Sequence, residues 1–159
     1  TFMEHFTALL AEQLLTDEAF QAKADEELIT LWQWHALEEL EHKSVAYDVY
    51  ETIGNSQAER AVAVLSSLVV LVPMLGITWI WMVYKDGQFG HLKDNMTGLN
   101  LLLGRRGFVT RILPRLPEFL DKRFHPRQHD TEVIERFWRD ALFGSGGTLQ
   151  TRYRNREAA

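Results

Sequence analysis

The chain has 159 residues, with 17 Lys and Arg against 22 Asp and Glu for a formal net charge of −5, and 46% hydrophobic residues, enough for a core. The mildly acidic balance excludes a whole-chain electrostatic grip on nucleic acid, so no nucleic-acid partner is expected. With no cysteine, a disulfide scaffold, a thiolate zinc site and a cysteine nucleophile are excluded too, while the redox compartment stays open.

The chain opens on Thr1, with Glu4 and His5 already in the first helical turn, and reads as a fragment of a longer protein. Residues 2–15 recur apolar at helical spacing and predict a first helix, interrupted at Thr16-Asp17 by residues that prefer caps and turns. A second, longer helix is expected over residues 25–53, ended by Gly54-Asn55. Ser56-Gln57-Ala58-Glu59 fits a capping box and starts a third helix.

That third helix carries no charge from residue 61 to residue 84, longer than the roughly 20 residues needed to cross a bilayer. Ser66, Ser67, Pro73, Gly76 and Thr78 interrupt the run, and it stands alone in a chain otherwise soluble in character. The expectation is a buried or membrane-surface wall, covered by the first two helices and the basic segment that follows. In the alternative, a membrane span, Trp79, Trp81, Tyr84 and Lys85 mark the interface. A cytoplasmic location follows from the first reading, and membrane association through residues 61–84 from the second.

Beyond Asp86-Gly87, short helical pieces are expected around residues 97–103, 107–113 and 116–123, separated by Gly104, Gly107, Pro114 and Pro117. Arg105, Arg106, Arg111, Arg115, Lys122, Arg123 and Arg127 make this stretch locally basic, a solvated face first and an anionic lipid surface second. A last helix begins near Asp130 or Thr131 and ends at Gly144. Residues 1–143 are thus read as one helical domain and 144–159 as a flexible tail, with no internal repeat legible.

The chemistry lies in the second helix. Turning ~100° per residue from Glu39, His42 falls at about −60°, His35 at about −40°, Leu28 and Ala46 near −20° and Trp32 near +20°. One stripe therefore carries His35, Glu39 and His42 among apolar neighbours and is expected to face the core, with Glu41 nearly opposite. Two imidazoles and a carboxylate are costly to bury without partners, and a metal ion satisfies all three. Glu39-x-x-His42 is the spacing with which ferritin-like carboxylate bundles hold two iron or manganese ions, each site also needing a Glu from two other helices. Glu4 can supply one of these, with the small Thr7, Ala8 and Ala11 leaving room for a substrate. The fold expected is thus an all-α, ferritin-like helical bundle, incomplete in this chain. The competing reading of the Glu-rich run with Lys43 is a solvated helix face. His125, His129 and Asp130 fit a turn and a helix cap better than a ligand set.

Glu4-His5-Phe6-Thr7-Ala8, Trp32-Gln33-Trp34-His35, Glu38-Glu39-Leu40-Glu41-His42-Lys43 and Val45-Ala46-Tyr47-Asp48-Val49-Tyr50 together resemble the family of predicted metal-dependent hydrolases. Residues 32–50 are the specific part, and Phe124-His125-Pro126 with His129-Asp130 is similar to a C-terminal feature of that family. Its members are longer, so the resemblance implies that further ligand-bearing helices lie upstream and that this chain holds about half the ligand set.

Together the expectations are a metal site of Glu4, His35, Glu39 and His42 holding two iron ions, with manganese as the alternative. The reaction expected is oxygen-dependent oxidation of a small apolar substrate. Metal-assisted hydrolysis is the runner-up, and a non-catalytic membrane-associated protein the reading from another class. The missing ligands come either from an N-terminal half or from a homodimer in which each copy gives one Glu and one E-x-x-H.

Overall fold

Two aspartates set the early helices. The Asp17 carboxylate accepts from Phe20 N at 2.9 Å and caps α2 (Glu18–Gln21), directly after α1 (Phe2–Thr16). The Asp25 carboxylate accepts from Glu27 N at 2.9 Å and Leu28 N at 3.2 Å and caps α3 (Glu26–His42). Each cap satisfies amides that a helix start leaves without a partner. This computed structural model describes residues 1–54 and 56–150, and among them the chain is all-α, without a strand. The later elements are α4 (Val45–Thr52), α5 (Gln57–Lys85), α6 (Leu92–Leu103) and α7 (Glu132–Phe143), with 3-10 turns at Leu113–Leu120 and Pro126–Gln128.

Several local expectations are corrected. The single helix expected over residues 25–53 is two, α3 and α4, broken by a turn at Lys43-Ser44. The Lys43 ammonium donates to the His129 carbonyl at 2.8 Å and to the Thr131 hydroxyl, partners more than 80 residues away that no local signal reports. Ala46 therefore no longer extends the Glu39 stripe. Gly54 ends α4 with φ +103°, a conformation that favours glycine, while Asn55 lies outside the described residues. The capping box at residues 56–59 does not form. Instead the Tyr50 hydroxyl fills the corner, 3.0 Å from Ser56 O, 3.1 Å from Ser56 N and 2.9 Å from Glu59 Oε2. Desolvation there, and then the Glu59 carboxylate, raise the phenol above its ordinary pKa against the opposing Ser56 backbone bond. Of the pieces expected after residue 86, the first is a longer helix, α6, and the others are turns and the 3-10 segment.

The chain divides into two compact units. The first comprises Thr1, Met3–Val49 and the chain from His125 onward. Its core joins Ala11 and Leu15 of α1 to Ala36 and Leu40 of α3, and Ile134 and Trp138 of α7 pack against them. Alanines at positions 11 and 36 let the backbones approach, and Trp138 Nε1 donates to the Leu15 carbonyl at 3.0 Å. On the same side Arg139 pairs with Glu41, which raises the guanidinium pKa through hydrogen bonding and then through charge.

The second unit comprises Phe2 and Tyr50–Phe124. Its interior gathers at the N-terminal end of α5. Arg60 is 1% exposed, its guanidinium 4.9 Å from the Phe119 ring centroid and 5.7 Å from that of Phe124, a cation–π arrangement. Phe2, Phe108 and Ile112 are buried as well, and Gln57 Nε2 donates to the Leu120 carbonyl at 2.5 Å. The rest of α5 is uncovered: Leu65, Val69, Val72, Ile77, Ile80 and Trp81 are all exposed. The expected covering of residues 61–84 by other helices is thus overturned within this chain, and α5 remains a helix long and apolar enough to cross a membrane.

A repeat that the sequence hid appears at the ends of α6 and α7. Gly104 N donates to Asn100 O, Gly107 N to Gly104 O, Phe108 N to Leu101 O and Val109 N to Leu102 O. Forty residues later Gly144 N donates to Asp140 O, Gly147 N to Gly144 O, Thr148 N to Ala141 O and Leu149 N to Leu142 O. Gly104 and Gly144 share extended backbone angles, with φ −62° and −63° and ψ 172° and 177°. Of the segment expected to be a tail, residues 144–150 thus fold back onto α7, while 151–159 lie outside the described residues.

Candidate metal centre

On α3 the buried positions are Ala36, Leu37 and Leu40, so the core lies about 100° round the helix from Glu39. The stripe expected to face the core faces outward instead: Leu28 is 52% and Trp32 53% exposed, and His42 is exposed too. The reason is the seat of α7, which meets α3 on the Ala36–Leu40 side through Ile134 and Trp138. Leu28 and Trp32 are apolar without being core.

His35 Nε2 lies 3.5 Å from Glu39 Oε1, with the imidazole about half exposed and the carboxylate a quarter exposed. The Trp32 ring meets His35 edge-on, centroids 6.3 Å apart. The structure therefore brings His35 and Glu39 together. Glu4, half-buried on α1, is not gathered with them: among the described residues no three His, Asp or Glu side chains form a group able to hold an ion. The donors fit a carboxylate and imidazole metal site in kind and fall short of one in number. The room expected beside Ala11 is taken by Leu40 and Ala36, while Ala8 lines a small cavity.

His5 is 3% exposed, its ring 5.6 Å from that of His129. Glu12, Lys43 and Thr131 line the same cavity, whose volume of about 10 Å³ admits a water-sized sphere. Sequence spacing gave no hint of this partner, which comes from a loop at the other end of the chain. Arg60 was also overlooked; its signal is a lone cation directly ahead of an uncharged run.

His125 has the structural role expected of it. Its Nδ1 accepts from Arg127 N at 3.2 Å, capping the turn Pro126–Gln128, and its Nε2 lies 3.0 Å from Asp48 Oδ1. Asp48 is also held by Arg127. Both imidazole nitrogens are thus engaged within the fold.

A family model described as predicted metal-dependent hydrolase matches residues 1–130. No curated protein and no solved structure matches the chain significantly.

Proposed function

Starting from the chain's membership of the family described as predicted metal-dependent hydrolase, we propose that it provides part of a two-metal carboxylate centre in a ferritin-like bundle. In this reading Glu4, Glu39 and His42 are ligands, and His35 is a further ligand or the group that orients Glu39. The observation that carries it is the outward stripe of α3, where His35, about one to two turns on from exposed Leu28, Leu31 and Trp32, meets Glu39 at 3.5 Å. Titratable side chains set in uncovered apolar surface are what a helix presents when another segment or another copy of the polypeptide packs over it.

Carboxylate-rich ligation suits iron or manganese, and two such ions, when bound, supply redox chemistry towards dioxygen. The chain's own residues then have distinct tasks. Glu39 and His42 would hold the ions at one end of the stripe, His35 would orient the Glu39 carboxylate, and Trp32 and Leu28 would exclude water and receive a small apolar substrate. Oxygen-dependent oxidation of that substrate is the reaction proposed. Metal-assisted hydrolysis is the second reading, favoured by the family's description. A cytoplasmic setting agrees with either.

Iron loading of the protein, followed by optical and Mössbauer spectra before and after exposure to oxygen, tests the proposal. Oxidation of paired ferrous ions by oxygen is expected, whereas oxygen-insensitive spectra with turnover of a hydrolysable ester favour the second reading. Glu39→Ala and His42→Ala should lose the metal while Glu41→Ala keeps it. Equal loss in all three means that the stripe is misassigned.

A further inference from the structure

Length and composition allow α5 to cross a bilayer, but the fold of its own unit does not. Gln57 bonds to Leu120, and Arg60 stacks on Phe119 and Phe124, so the 3-10 segment and its exit are fastened to the first turn of α5. A 29-residue helix rises about 43 Å. If α5 spanned the hydrocarbon, the chain after Lys85 would have to cross back to reach that first turn. Its only helix on the way is α6, 12 residues long or about 18 Å, with Lys93, Asp94, Asn95 and Asn100 along it and Arg105 and Arg106 beyond. Lipid-exposed backbone outside a helix does not persist at that depth, and the charges add to the cost.

We propose that α5 is embedded in an anionic lipid bilayer from one side, with both of its ends and the whole of α6 remaining on that side. Three observations choose lipid as the occupant. The helix is exposed on every face over residues 68–82 except at Leu71, and a single packed helix would cover only one stripe. Trp79, Trp81 and Tyr84 directly precede Lys85, the arrangement of an interfacial anchor. The segment 105–123 carries six basic residues against two acidic ones in a chain of net charge −5, which complements anionic headgroups. Pro73 stands near the middle of the uncharged run and leaves about 11 or 12 residues on each side, roughly 16–18 Å, the depth of one leaflet. It lacks an amide hydrogen and is where α5 can bend.

The absence of cysteine makes the test direct. Single variants Ser56→Cys, Val70→Cys and Gln88→Cys of the full chain are reconstituted with phosphatidylglycerol–phosphatidylcholine vesicles and treated with a membrane-impermeant maleimide from outside. Positions 56 and 88 should label alike, and position 70 should be protected only when vesicles are present. Labelling of 56 and 88 from opposite faces means a span and overturns the proposal. Protection of position 70 without lipid means that a second copy covers α5, and overturns it equally. Binding should weaken at least tenfold on pure phosphatidylcholine or in Arg105→Glu/Arg106→Glu; unchanged binding in both would remove the anionic requirement.

Discussion

α6 and α7 are stopped by the same device and live in different surroundings. Each ends at a glycine with nearly identical backbone angles, and each is followed by a turn closed at a second glycine three residues on. Yet α7 buries Leu142 and packs Ile134 and Trp138 into the first unit, whereas α6 buries no residue at all. Its apolar stripe of Leu92, Met96, Leu99 and Leu103 recurs at helical spacing, with Leu92, Met96 and Leu103 exposed. The stop signal of a helix is therefore local and independent of packing, while the fate of its apolar face is decided by what else the fold brings near.

Leu142 and Leu102 occupy the same place in the two repeats, and truncating each is the strongest way to probe the contrast. Leu142 is 1% exposed and Leu102 38%. Leu142→Ala should cost about 2–5 kcal/mol, and Leu102→Ala should stay within about 1 kcal/mol, both read from urea denaturation of the lipid-free protein. Equal costs would mean that α6 packs as α7 does.

The glycines should behave alike in the two copies, whatever surrounds them. A Cβ on Gly107 would lie 2.4 Å from Leu102 O, and one on Gly147 would lie 2.4 Å from Leu142 O. Both are backbone clashes, so Gly107→Ala and Gly147→Ala should each lose about 1–3 kcal/mol. Gly146, whose Cβ meets open space, should tolerate alanine within about 0.5 kcal/mol. Thermal unfolding of the three variants side by side gives the ranking.

Two smaller effects sharpen how α7 is seated. Trp138→Phe removes the donor to the Leu15 carbonyl and should cost about 1 kcal/mol in the same denaturation series. Glu41→Ala breaks an ion pair whose arginine is about half exposed, and should cost no more than about 0.2–1 kcal/mol, diminishing in high salt. A larger loss at Glu41 would mean that the pair anchors α7 rather than decorates it.

The helices were largely legible because their signals are local: the caps at Asp17 and Asp25, the left-handed Gly54 and the stop at Gly144 all act within a few residues. What could not be read was direction. Leu28 and Trp32 mark an apolar stripe on α3 as convincingly as Ala36 and Leu40 do, and only the seat of α7 decides between them. Hydropathy likewise marks residues 61–84 without saying what covers them. Lys43, at the break, bonds to His129 and Thr131, contacts that close a long loop and leave no trace in the neighbouring sequence. Of the candidate site, the adjacency of His35 and Glu39 follows from their spacing of four, whereas the place of Glu4, on another helix, is set by packing that no periodicity reports.

The paired glycine turns have a practical corollary. The bonds that close each turn, from its second glycine and the two residues after it, run backbone to backbone, and the tips, Arg105-Arg106 in one and Ser145-Gly146 in the other, are exposed. In a chain without a native thiol, Arg105→Cys and Ser145→Cys create two equivalent attachment points, one in each unit, at the ends of helices of equal length. A spin label placed at either one reports the motion of that turn within its own unit.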